Sequence, residues 1–182
     1  MKHLLKAIFT LIAAVLVTAA SAQNTGAYLK FDLNGRTISY KNGAVNNYNK
    51  FEPGDENSKS GNRHVLYISY EVKEPYKLDI MIYTPPHSVP VVGKIPYIPI
   101  VNPPGGPCPA AHLSVTKNVG DEYEFYASEA NNAGHFEITK VAAGWVEGKF
   151  EIDLPKEYSD SGEVLHITNG SFRFKIEKEM KD

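Results

Sequence analysis

Gly134-His-Phe-Glu-Ile-Thr-Lys140, Trp145-Val-Glu-Gly-Lys-Phe-Glu-Ile-Asp-Leu154 and Glu163-Val-Leu-His-Ile-Thr-Asn-Gly-Ser-Phe-Arg-Phe-Lys-Ile176 decide the fold of this 182-residue chain. Each run alternates apolar and polar residues with period two, the signature of a strand with one buried face. Val146, Gly148, Phe150, Ile152 and Leu154 share a face, and Glu147, Lys149, Glu151 and Asp153 share the other. Phe172, Phe174 and Ile176 face one way, with Arg173 and Lys175 opposite. Residues 141–144, Val-Ala-Ala-Gly, form a hairpin loop. Asn169-Gly170 predicts a further hairpin between the Leu165/Ile167 and Phe172/Phe174 arms, because Asn-Gly supplies the positive φ values of a type I′ turn.

Outward from this stretch the same pattern recurs. Leu29, Phe31 and Leu33 alternate with polar residues up to Asn34-Gly35, a hairpin signal, and residues 36–40 follow. Asn42-Gly43 marks another turn, and the polar residues 41–63 are expected as a long exposed loop. Counted from Asp55, Lys59 and Ser60 fall at the fifth and sixth positions and break a calcium-loop pattern. Residues 64–72 and 76–83 are aromatic and β-branched runs joined by a short connection at Pro75, which predicts an antiparallel pair with Leu78, Ile80 and Ile82 in the core. Residues 112–116 and 121–127 add two short strands around Gly120. Nine of the twelve prolines lie within residues 85–109. Proline cannot donate to a ladder, so this insert is an edge strand, an extended segment or a loop. It serves either as a stiff binding loop or as a crossover between sheets. The expected architecture is all-β: a single antiparallel β-sandwich, or a partly open barrel, of about nine or ten strands.

Residues 1–22 read as a secretory signal peptide. Lys2 and Lys6 precede an apolar run, and Ala20-Ser-Ala22 forms a small-residue cleavage site. The run is too short to span a bilayer, and no second apolar stretch is long enough. The sandwich domain then occupies residues 23–182, exported to periplasm, cell surface or medium. Without Lys2 and Lys6 it carries 17 basic against 21 acidic residues, which argues against nucleic acid and against a polybasic membrane patch. The single Cys108 excludes an internal disulfide.

No nucleophile elbow, phosphate loop or His-Glu-x-x-His motif occurs, so no catalytic residue and no cofactor is assigned. Cys108 lacks a local cationic neighbourhood to activate it. His135 and Glu137 share a strand face and are weak candidates for metal ligation, which needs further ligands. The acidic residues Glu147, Glu151 and Asp153 interleave with Lys149 as a wet strand face, though a hydrolase needs such a carboxylate pair. Trp145, the only tryptophan, lies by parity on the outer face, where an aromatic ring can stack on a sugar. Tyr97 and Tyr83, in and beside the proline-rich insert, join it as candidate ligand-binding residues. Asn169-Gly-Ser171 matches a glycosylation acceptor but is explained by the turn.

The three segments Gly134-x-Phe-x-Ile-Thr-Lys140, Val146-x-Gly-x-Phe150 and Ile167-Thr-Asn-Gly-Ser-Phe172 resemble the end of a group of Bacteroidetes secreted proteins and lipoproteins of unknown function. Residues 31–35, Phe-Asp-Leu-Asn-Gly, resemble their opening strand and turn. The chain departs from that group in its proline-rich insert and in lacking a lipidation cysteine. The resemblance implies a small secreted β-sandwich and brings no site residues. Three functions stay open at this level. One is a binding module for an extracellular polysaccharide or cell-surface protein; another is a hydrolase using a carboxylate pair or a histidine–metal site; the third is an assembly protein pairing through an edge strand.

Overall fold

The alternating runs fold as strands, and their apolar faces meet. The computed structural model describes residues 26–41, 45–52, 63–70, 76–99, 108–130 and 132–180. Residues 1–22, the Asn42-Gly43 turn and residues 100–107 of the insert lie outside these. Among the described residues twelve strands form two six-stranded sheets. The first sheet contains β1 (Tyr28–Leu33), β2 (Arg36–Lys41), β6 (Gly93–Ile95), β9 (Gly134–Ala142), β10 (Trp145–Pro155) and β11 (Val164–Lys175), in the order β2-β1-β11-β10-β9-β6. The second contains β3 (Val45–Glu52), β4 (Arg63–Tyr70), β5 (Tyr76–Thr84), β7 (Ala110–Val119), β8 (Glu122–Ala127) and β12 (Glu179–Met180), in the order β12-β3-β4-β5-β7-β8. Neighbours pair antiparallel except β12 with β3, and neither sheet closes into a barrel. The protein is a β-sandwich.

One core fills the space between the sheets. Leu29, Phe31, Val146, Phe150, Ile152, Phe172 and Phe174 of the first sheet meet Leu66, Ile68, Leu78, Ile80, Ile82, Leu113 and Val115 of the second. Burying each such side chain contributes about 1.5–3 kcal/mol. The rings of Phe136 and Phe172 stack with centroids 5.4 Å apart. Gly148 makes room for this: a Cβ there would lie 2.3 Å from Phe172 Cζ and 2.6 Å from the Glu137 carbonyl oxygen. Asn34 and Gly35 adopt φ of 47° and 81°, as the β1–β2 hairpin requires. Asn34 Oδ1 then accepts the amide of His166, fastening the hairpin tip to β11 (3.1 Å).

Two expectations are corrected. Residues 45–52, expected within an exposed loop, form β3, paired along its length with β4. That long-range pairing overrides the low strand propensity of its three asparagines. Asn169-Gly170 is not a hairpin: β11 runs unbroken through it. Phe150 pairs with Gly170 and Ile152 with Ile167, so Thr168 and Asn169 together oppose Glu151 in a β-bulge. The extra residue switches the buried parity from Leu165 and Ile167 to Gly170, Phe172 and Phe174.

The proline-rich segment carries the chain between sheets. It pairs as β6 at the edge of the first sheet, then lies beside β7 where β8 leaves it uncovered. There Ile98 donates its amide to the Ala111 carbonyl and Ala111 donates to the Pro96 carbonyl, both at 2.9 Å. Tyr97 points into the main core, while Ile98 joins Val65, Tyr83 and Ala110 in a small apolar cluster on the outward face of the second sheet.

Candidate functional site

The bulge shapes a groove on the outward face of the first sheet. Asn169 sits in the left-handed region at φ 53°, a conformation asparagine tolerates better than most residues. Its Nδ2 donates to Asp32 Oδ2 at 2.9 Å, and Thr37 Oγ1 donates to Asp32 Oδ1 at 2.5 Å. These bonds, Thr37 first, hold the Asp32 carboxyl below its usual range. Beside them His135, Lys149, Glu151, Asn169 and Ser171, with the buried Phe150 and Gly170, line a groove of about 330 Å³. His135 Nδ1 lies 3.8 Å from Glu151 Oε2, and further along the face His166 Nδ1 lies 2.7 Å from Asp153 Oδ1. The groove therefore offers both donors and acceptors.

Trp145 stands at the other end of the same face. The Arg173 guanidinium lies 3.9 Å over its ring, donates from Nε to Glu147 Oε1 at 3.2 Å and from a terminal nitrogen to the Gly26 carbonyl at 3.1 Å. Tyr28, the register partner of Arg173, flanks this arrangement, and burial raises its hydroxyl pKa. Trp145 is half-buried, with one ring face occupied by a cation.

The other expected site residues are placed differently. Tyr97 is buried at the end of the core, its hydroxyl 3.0 Å from the carbonyl oxygens of His135 and of Glu151. Burial, and then the Glu151 charge, push its pKa far above the ordinary tyrosine value. Tyr83 is buried as well, donates to Met81 Sδ at 3.2 Å and lies under the Arg63 guanidinium at 4.3 Å. Both rings serve packing, because the insert acts as the crossover, one of its two expected roles, and docks against the second sheet. Glu137 lies in register between Lys94 and Lys149, so it faces cations, while His135 turns to Glu151 across the strand pair.

Ser128 Oγ lies 2.9 Å from His112 Nδ1, but both residues are buried and the Ser128 hydroxyl donates to the Ile98 carbonyl at 2.7 Å. Burial holds His112 neutral by lowering its pKa. The pair ties the crossover segment to β7. Cys108 is exposed, yet partial desolvation raises its thiol pKa, the opposite of activation.

Sequence reasoning missed one cluster. His64 at the start of β4, His87 in the turn after β5 and Glu179 in β12 bring three ligand atoms within 4.8 Å of one another. His64 Nε2 lies 3.2 Å from Glu179 Oε2, and His64 Nδ1 accepts the His87 amide at 2.9 Å. The residues lie far apart in sequence, so no spacing motif could announce them. Among the described residues no helix is long and apolar enough to cross a membrane. The fold and these sites define a β-sandwich with a polar groove on one sheet face. Comparison with protein-family models, with curated proteins and with solved structures finds no match to this chain.

Proposed function

We propose that this protein is an exported, non-catalytic binding module that holds an extracellular polysaccharide along the outward face of its first sheet. The observation that carries this reading is the bulge-built groove of His135, Lys149, Glu151, Asn169 and Ser171, on the same outward face of β10 as Trp145. The outward residues of β10 from Trp145 to Asp153 span roughly 26 Å at the rise of a β-strand, long enough for several sugar units. Hydroxyl-rich ligands need mixed donors and acceptors, and this face supplies lysine, histidine, amide, hydroxyl and carboxylate groups in alternation. The half-buried Trp145 ring offers a stacking surface at one end. The leader-like residues 1–22 and the resemblance to secreted Bacteroidetes proteins support an extracellular ligand.

The test uses the chain from residue 23, which carries every described strand, on a broad glycan array. The positive glycan is then titrated while Trp145 emission is followed. Saturable binding is expected, with affinity lowered at least about tenfold by Asn169→Ala or Lys149→Ala, the cost of removing one or two hydrogen bonds to a ligand. A blank array, or binding untouched by both substitutions, refutes the reading.

A further inference from the structure

We propose that His64, His87 and Glu179 form a binding site for a divalent transition-metal ion of the zinc class, which fastens the C-terminal strand β12 to the end of the second sheet. Two imidazoles and one carboxylate are a donor set that suits zinc, nickel or copper, and one that calcium and magnesium, which prefer oxygen-only shells, use poorly. Bonds of about 2.0–2.1 Å in a tetrahedron place neighbouring ligand atoms roughly 3.3–3.5 Å apart. His64 Nε2 and Glu179 Oε2, 3.2 Å apart, already match that spacing. The whole trio lies within 4.8 Å, so closing on an ion shortens the longest ligand separation by about an ångström.

The three residues differ in freedom in a useful way. His64 is buried and its ring is held by the register of β4 against β5. His87 and Glu179 are exposed and can adjust. Without metal, His64 Nδ1 accepts the His87 amide, so its proton resides on Nε2, which lies 3.2 Å from Glu179 Oε2. A metal ion takes the Nε2 lone pair, the ring proton passes to Nδ1, and the His87 amide must turn away. That rearrangement releases the turn bearing the His87 imidazole to close on the ion. Asn49, the register partner of Glu179, has a buried Oδ1 with no hydrogen-bond partner.

The experiment titrates zinc into metal-stripped chain from residue 23, by calorimetry and by thermal unfolding, with magnesium as the contrast. One zinc per chain, a rise in Tm with zinc and none with magnesium are expected. His87→Gln and Glu179→Gln, both at exposed positions that leave the core intact, are each expected to weaken zinc at least tenfold while keeping the metal-free Tm within a few degrees. His135→Gln, in the groove, is expected to leave zinc affinity unchanged. Absence of saturable zinc binding overturns the proposal. So does wild-type affinity in both trio variants, or a loss of affinity in His135→Gln that the trio variants do not share.

Discussion

Replacing Tyr97 with phenylalanine tests the docking of the crossover segment in a way that contacts alone cannot. The hydroxyl has one proton to share between the carbonyl oxygens of His135 and Glu151, both 3.0 Å away. Removing it leaves buried acceptors without that donor, at a cost of about 1–2 kcal/mol near pH 8. The second effect has the opposite sign. Tyr97 ionises in the unfolded chain near 10.0, but burial raises its folded pKa well beyond that. The unfolded state therefore sheds a proton that the folded state keeps, and wild-type stability falls as pH rises above the unfolded value. For a hydroxyl that stays protonated when folded, the loss at about pH 10.5 is about 0.8 kcal/mol. The phenylalanine variant escapes this loss, and every other tyrosine is common to both proteins. The gap between the two should shrink by about half between pH 8 and pH 10.5. Urea unfolding at the two pH values, with unchanged slope as the check on two-state behaviour, measures it. A gap that is equal at both pH values refutes the reasoning, because the hydroxyl would then titrate alike in both states.

Three further outcomes are expected. Gly148→Ala should destabilise by about 1–3 kcal/mol or more, since the new Cβ meets the Phe172 ring at 2.3 Å and a backbone carbonyl at 2.6 Å; chemical unfolding reads this directly. Glu124 is held by Lys117 at 2.7 Å and by Lys156 at 2.5 Å, which pull its carboxyl down to about 2. Its stabilisation is present above its ordinary value near 4.5 and fades as pH falls through about 2, so Glu124→Gln should flatten the Tm profile across that acid window. Arg173→Ala should remove the cation 3.9 Å above the only tryptophan and shift its emission, with little change in far-ultraviolet dichroism.

The alternation in residues 29–33, 78–82 and 146–154 was enough to assign the strands and their buried faces, because a period of two survives any tertiary arrangement. The sandwich followed from it. What escaped depends on partners distant in sequence. Asn169-Gly170 is compatible with a turn and with a bulge, and both reverse the parity between Ile167 and Phe172. Only the pairing of β11 with β1 on one side and β10 on the other selects the bulge. β3 is polar in sequence and becomes a strand because β4 is beside it. The burial of Tyr97, a candidate ligand-binding residue, is hidden for the same reason: its segment has no periodicity, and its burial depends on where the chain crosses between sheets. His64, His87 and Glu179 are assembled by topology alone. His135 and Trp145, by contrast, lie on the outward face that their parity predicted.

The position of β11 has a consequence in time. In the first sheet β11 lies between β1 and β10, so the β1–β2 hairpin joins the rest of that sheet only through a strand that comes far later in the sequence. Until residues 164–175 leave the ribosome, β1 and β2 have no neighbour to complete their side of the core, and Phe31 has no Phe150 ring beside it. The pair of β1 with β11 closes a loop of most of the chain, a contact whose entropy must be met before it repays anything, and such topologies fold slowly. A nascent or C-terminally truncated chain thus has no route to the finished sandwich.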